Sequence, residues 1–400
     1  MNVRSGVLLV LIPVGALAWQ SSEEVRIPDD PLQGLGLFEA KGCIQCHAIG
    51  AGGPHIGPNL ADSLFDGTFL DLGSALWNHV PGMSVTFEVT RQEWPLLSDD
   101  EVVSLLSFLY FMDYLGQPGD PQAGERVFRG TGGCGSCHVI GGGDRRSGPD
   151  LARLSTFASP LYVAQEIWNH GPAMLATMSQ LGLAPPTFEE RDLANLSAYI
   201  RQQAGPGLQE GLLLTPGNPN SGRRIFASKG CSTCHGDGAK GGAGGPDLSL
   251  FPLRQSAEAI AGTMWNHSFA MNDAMRARGI DWPSFENNEL ADLVAFLYFL
   301  PFFDLPGDAR RGEEVFSNRS CAVCHSPAVG QERQSVVAGP DLFASSAASS
   351  PAALVAAMWN HAPVMRRAIL AEGRPWPGLS GRDLRDLRAY LLRRAATIPE

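Results

Sequence analysis

This 400-residue sequence predicts an all-α protein in which one helical unit is used four times. Three observations carry that expectation. First, a set of landmarks recurs at fixed offsets. A Gly-Pro-Asn/Asp-Leu segment has its proline at Pro58, Pro149, Pro246 and Pro340, and a methionine follows each proline by 25 residues, at Met83, Met174, Met271 and Met365. A further 25 residues on stands an aromatic, Phe108, Tyr199, Phe296 or Tyr390. Second, the local spacing is helical: Gly34/Phe38, Gly124/Phe128, Gly222/Phe226 and Gly312/Phe316 are i, i+4 pairs, and Leu105/Phe108, Leu196/Tyr199, Leu293/Phe296 and Leu387/Tyr390 are i, i+3 pairs. Third, no run shows sustained alternation of apolar and polar residues. A fixed ruler of this kind means one folded unit, repeated.

The elements follow in chain order. Arg4, an apolar run of 13 residues from Val7 to Trp19, and Ala16-Leu17-Ala18 read as an export signal over 1–18. The run is shorter than the roughly 20 residues a spanning helix needs, so membrane contact is expected only through an uncleaved N-terminus. The four units are expected at 28–116, 119–204, 216–304 and 307–398. Each opens with a Gly/Phe helix, whose small glycine lets the aromatic-bearing last helix of the unit cross closely. Next comes Cys-x-x-Cys-His, then the Gly-Pro loop. A Trp-Asn-His segment (Trp77-Asn78-His79, Trp168-Asn169-His170, Trp265-Asn266-His267, Trp359-Asn360-His361) precedes each methionine by four residues, and a C-terminal helix closes the unit. The histidine-to-proline distance is 11 residues in three units and 15 in the fourth, which places a four-residue insertion in the loop 326–338.

The four Cys-x-x-Cys-His motifs, Cys43/Cys46/His47, Cys134/Cys137/His138, Cys231/Cys234/His235 and Cys321/Cys324/His325, use all eight cysteines. Two thiols three residues apart can each form a thioether to one porphyrin vinyl group, and the adjacent histidine reaches the iron. A zinc site wants two such pairs close together, whereas these begin 91, 97 and 90 residues apart. Covalent haem c with its iron, four per chain, is the cofactor expected.

With these motifs in place, each unit resembles a class I c-type cytochrome domain, and the resemblance covers nearly the whole chain after the export signal. It implies His47, His138, His235 and His325 as proximal iron ligands, each giving its other ring nitrogen to the carbonyl of Pro58, Pro149, Pro246 or Pro340. It implies Met83, Met174, Met271 and Met365 as sixth ligands, each just past a helix and a short proline-containing turn. The histidines His79, His170, His267 and His361 remain rivals for that position. On this reading asparagine would approach the thioether, and tryptophan would pack on the porphyrin or serve the core. A second tryptophan, at Trp94, Trp282 and Trp376, would donate to a propionate. The second unit has Pro185 at that offset, so one haem should differ.

The units fall into an ABAB pattern. The first and third end in apolar aromatics (Phe108–Phe111, Phe296–Phe299), the second and fourth in polar helices. The expectation is two duplicated dihaem blocks, each packed through the aromatic end of its first unit. The Gly- and Pro-rich join Gln203–Ser221 would separate the blocks, and proteolysis there would release two dihaem fragments. A net charge of −11 argues against nucleic acid. The function expected is periplasmic electron transfer without catalysis. The partners expected are a membrane dehydrogenase or quinol-oxidising complex on one side and a terminal oxidase or reductase on the other. A haem enzyme and a subunit of a larger respiratory complex are the alternatives.

Overall fold

A computed structural model describes residues 25–396, apart from 51, 54–55, 64, 66, 132, 143–146, 158, 206–215, 252–254 and 326–338. The export segment, the loop insertion and the centre of the join between the second and third units lie outside the described residues.

Several helix starts coincide with side chains that accept from the first bare N–H groups. Thr68, Ser98 and Ser380 form capping boxes with Asp71, Glu101 and Asp383. Ser159 and Ser350 accept from Tyr162 and Ala353. The resulting helices form four sets of three. They are α1 Gln33–Ala40, α2 Phe69–Thr90 and α3 Asp99–Phe111; α4 Pro121–Arg126, α5 Pro160–Leu181 and α6 Asp192–Ala204; α7 Pro219–Ser228, α8 Ala257–Arg278 and α9 Glu289–Phe299; and α10 Ala309–Asn318, α11 Pro351–Ala371 and α12 Gly381–Ala395. Among the described residues there is no strand, only an isolated bridge between Lys240 and Asp247.

Within each set the first and last helices cross at the expected glycine. A Cβ on Gly34 would overlap the Ser104 carbonyl and Phe108 Cβ, and Gly124, Gly222 and Gly312 meet α6, α9 and α12 in the same way. Beside each crossing lies an aromatic pair: Phe38–Phe108, Phe128–Tyr199, Phe226–Phe296 and Phe316–Tyr390, with centroids 5.5–6.2 Å apart.

The packing between sets departs from the expectation of neighbouring pairs. The aromatic end of the first set meets that of the third: Tyr110 OH donates to Tyr298 O at 3.3 Å, and Tyr298 OH donates to Tyr110 O at 2.5 Å. Phe111 lies parallel to Phe299, and Tyr114 OH reaches Ala291 O at 3.3 Å. Both ends are too apolar to face water, and each covers the other rather than the set that follows it in sequence.

The tryptophans and asparagines make the remaining joints, first to fourth and second to third. Trp77 Nε1 donates to Pro377 O and Trp359 Nε1 to Pro95 O, both at 2.7 Å. Asn78 pairs with both backbone groups of Leu379, and Asn360 with both of Leu97. Trp168 and Asn169 bind Pro283 and Phe285 in the same way, while Trp265 and Asn266 bind Pro186 and Phe188. The asparagines therefore bond across joints instead of toward the methionine, and the tryptophans stack on one another: Trp77 on Trp376, Trp94 on Trp359 and Trp168 on Trp282, at 4.2–4.5 Å.

Two further expectations are corrected here. No turn precedes the methionine: Pro81, Pro172 and Pro363 lie inside unbroken helices, and the third set has Phe269 in place of a proline, inside the helix Ala257–Arg278. A proline in a helix supplies no N–H to the carbonyl four residues earlier, here that of Trp77, Trp168 or Trp359. Each bared carbonyl accepts an indole from the neighbouring set instead, from Trp376 (3.2 Å), Trp282 (3.1 Å) and Trp94 (3.1 Å) respectively. The second tryptophans thus bond backbone carbonyls across a joint, so Pro185 marks a difference in a joint rather than at a haem propionate.

Candidate cofactor sites

Each Cys-x-x-Cys-His sits on a short helical turn just after the first helix of its set, at Cys43–Gln45, Cys134–Ser136, Ser232–His235 and Cys321–Cys324. A left-handed residue launches each turn: Gly42, Gly133, Gly230 and, in the fourth set, Ser320 with φ 62°. The histidine N–H then closes on the carbonyl of the first cysteine at 2.8–3.0 Å, which presents thiols and imidazole from one tight turn. The eight cysteines expected to attach haem, Cys43, Cys46, Cys134, Cys137, Cys231, Cys234, Cys321 and Cys324, form no disulfide and are half-buried. Burial pushes the first of each pair, Cys43, Cys134, Cys231 and Cys321, up to about 11.

The imidazoles repeat one arrangement. His47 Nδ1 donates to Pro58 O (3.0 Å), His138 to Pro149 (2.9 Å), His235 to Pro246 (3.2 Å) and His325 to Pro340 (2.9 Å). With its proton on Nδ1, a neutral ring keeps the lone pair on Nε2 free to bind a metal. The glycine before each proline has a role not legible from spacing. A Cβ on Gly57 would lie 2.5 Å from the His47 ring, and Gly148, Gly245 and Gly339 approach their histidines as closely. The loops are pinned too: Gly57, Gly148 and Gly339 donate to the carbonyls of Cys46, Cys137 and Cys324.

The third loop is pinned differently from the other three. Cys234 lies inside the turn Ser232–His235 and Cys324 inside Cys321–Cys324, whereas Cys46 and Cys137 cap the ends of theirs. The pin of the third loop moves one residue on, with Gly241 N donating to His235 O at 2.8 Å and Gly242 N to Gly245 O at 3.1 Å. The loop folds back over the thiol: a Cβ on Gly244 would come within 3.3 Å of Cys234 Sγ. The physical reason is the run Gly241-Gly242-Ala243-Gly244-Gly245, whose missing side chains allow that close approach. The residue after the proline holds a turn elsewhere, with Asn59 Oδ1 accepting from Gly50 and Ala61, and Asp150 Oδ1 from Gly141 and Ala152. His55 lies outside the described residues.

Each methionine stands on the long second helix of its set, one turn beyond the histidine of Trp-Asn-His and on the same face. Helical periodicity puts Trp77 and Asn78, which make the joint, on the opposite side from His79 and Met83. Met83, Met174, Met271 and Met365 are partly buried against the core. The rival histidines are oriented as well. His79 Nδ1 donates to Ala75 O at 2.7 Å and His170 Nδ1 to Glu166 O at 2.9 Å, which leaves Nε2 available. Burial lowers the pKa of His325 below the ordinary imidazole value, and the charge of His361 lowers it further against the raising effect of the Pro340 carbonyl. In the first two sets, His79 and His170 thus keep a ring nitrogen free beside Met83 and Met174.

Paired thiols on one turn, an oriented imidazole with Nε2 free, and a thioether or second imidazole on a facing helix fit a covalently held haem. Among the described residues no three His, Cys, Asp or Glu side chains cluster to hold a bare metal ion. Comparison with protein families gives one match, to the family described as Cytochrome c, over residues 220–300. That stretch runs from the start of α7 into the end of α9, and the match supports a cytochrome c family, with haem-bound iron and electron transfer as its chemistry. No curated protein and no solved structure matches the chain.

Proposed function

We propose that the chain is an exported tetrahaem c-type cytochrome of four cytochrome c domains, which passes single electrons between redox partners and does no catalysis of its own. One observation carries this reading: the histidine-to-proline-carbonyl bond beside a pair of thiols is built four times, each time with a glycine against the ring. The matched stretch contains one of the four copies; the other three follow from identity of landmarks and likeness of local geometry. Cys43/Cys46, Cys134/Cys137, Cys231/Cys234 and Cys321/Cys324 would hold the porphyrins by thioether bonds. His47, His138, His235 and His325 would bind iron on one side, and Met83, Met174, Met271 and Met365 on the other. The bound haem supplies a one-electron iron couple. The protein's part is to fix both axial ligands and exclude others, with the proline carbonyl raising the basicity of the histidine.

Methionine ligation favours higher potentials than two histidines, which suits a carrier between a membrane dehydrogenase or quinol-oxidising complex and a terminal oxidase or reductase. The apolar run before Ser21 supports export to the periplasm, where c-type haem is attached. No helix among the described residues is long and apolar enough to cross a membrane. Optical spectroscopy of the purified protein tests the reading. The oxidised form should show the weak far-red band of ferric thioether coordination, and the reduced form should not bind CO. Met83→His should remove about a quarter of that band, since methionine and histidine both complete cytochrome sites. Rapid CO binding would favour the haem-enzyme alternative. Loss of ligation in His79→Ala with no change in Met83→Ala would transfer the role to the histidines.

A further inference from the structure

Three of the four ligand-bearing helices have a proline four residues after their first tryptophan: Pro81, Pro172 and Pro363. The third set has Phe269 there, inside the unbroken helix Ala257–Arg278, so the Trp265 carbonyl keeps its ordinary helical donor. Three sets also carry the second indole, Trp94, Trp282 and Trp376, while the second set has Pro185 in that place. The two absences face each other. The Trp265 carbonyl needs no external donor, and the set opposite supplies none. Every carbonyl bared by a proline receives one indole, and every second indole finds one bared carbonyl.

Only this pairing satisfies all the groups. Joining the first set to the second and the third to the fourth would leave the Trp77 carbonyl without a donor and the Trp376 indole without an acceptor. Joining first to third and second to fourth would strand the Trp359 carbonyl and the Trp94 indole. Each alternative buries two polar groups unsatisfied, which native interiors avoid.

We propose that this proline–indole match is the specificity determinant that pairs the first set with the fourth and the second with the third. Together with the Tyr110–Tyr298 contact, it sets the order of neighbours as four–one–three–two. The functional consequence rests on the tetrahaem reading above. The outermost domains are the second and fourth, and electrons cross the molecule out of sequence order. Haems held by the four Cys-x-x-Cys-His turns would supply one-electron iron couples, so a donor protein giving one electron at one end would be balanced by an acceptor protein taking one at the other.

Thermal unfolding of the full-length haem-loaded protein tests the match. Pro185→Trp should lower the unfolding temperature by setting an unmatched indole against a carbonyl already served. Adding Phe269→Pro bares that carbonyl, and the double variant should recover at least half of the loss. A proline inside a helix is otherwise destabilising, so a double variant less stable than Pro185→Trp alone would overturn the proposal. A second cycle stands even if Pro185→Trp fails to fold. Trp376→Phe should lower the unfolding temperature at least twice as much in the native background as in the Pro81→Ala background, where the helix N–H returns; equal losses would overturn the match. Intact mass of the same samples reads the haem count separately. Four haems with failed cycles would overturn only the match, whereas fewer than four with successful cycles would overturn the order of electron transfer and leave the pairing intact.

Discussion

The carboxylate of Asp304, from the end of the third set, lies over the start of α2 in the first. Thr68 Oγ1 donates to its Oδ1 at 2.6 Å and Leu70 N to its Oδ2 at 3.0 Å. Burial pushes Asp304 up to about 6; the two hydrogen bonds and Arg385 oppose this, and the charge of Asp71 adds to it. The corresponding residue in the first set is Gly116, 188 positions earlier, where Glu258 of α8 fills the space and is also raised by burial. A raised carboxyl favours the folded state only while protonated. The contribution of Asp304 is therefore full below its ordinary value near 3.8 and is lost as pH rises toward about 6. Asp304→Asn should remove that dependence: measured by denaturant unfolding, the variant should gain on the native protein by on the order of 2 kcal/mol between pH 4 and pH 7. A difference that is flat across that range would show that the carboxyl is not held near 6.

At the scale of elements, the sequence legibly predicts what depends on local spacing. The glycine-to-aromatic crossings, the Cys-x-x-Cys-His turns and the histidine-to-proline-carbonyl bonds all lie within one set, and each follows from a short offset and a known geometric need. The Trp-Asn segments mislead because the groups that satisfy them lie 78 to 301 residues away. A tryptophan near a haem motif invites a haem role, and nothing local distinguishes that from a joint. A signal is nevertheless present. A proline inside an otherwise helical run announces a carbonyl in need of a donor, and the segment without that proline faces the one without the second indole. The loop glycines Gly57, Gly148, Gly245 and Gly339 are visible as part of Gly-Pro, but the reason for them, the ring of the histidine pressed against their Cα, is a tertiary contact. The altered loop over Cys234 has a sequence signal as well, in the four glycines between Gly241 and Gly245 that no other set matches.

For the whole molecule, the internal duplication read from the ABAB pattern and the packing are different matters. The halves are alike in sequence, yet each A-type set joins the B-type set of the other half, so the two halves interlock. Cleavage between them should therefore not separate them. With a protease site engineered between Gly205 and Pro216, the cut protein should elute from a sizing column at the volume of the intact chain and split only in denaturant. Two independent dihaem fragments after cleavage would show that the crossed joints do not hold. The central claim, that each of the four Cys-x-x-Cys-His turns carries a covalent haem, is tested most directly by intact mass after acid–acetone extraction of protein matured in a host competent for c-type attachment. The chain should retain four haem additions; fewer under those conditions would contradict the claim.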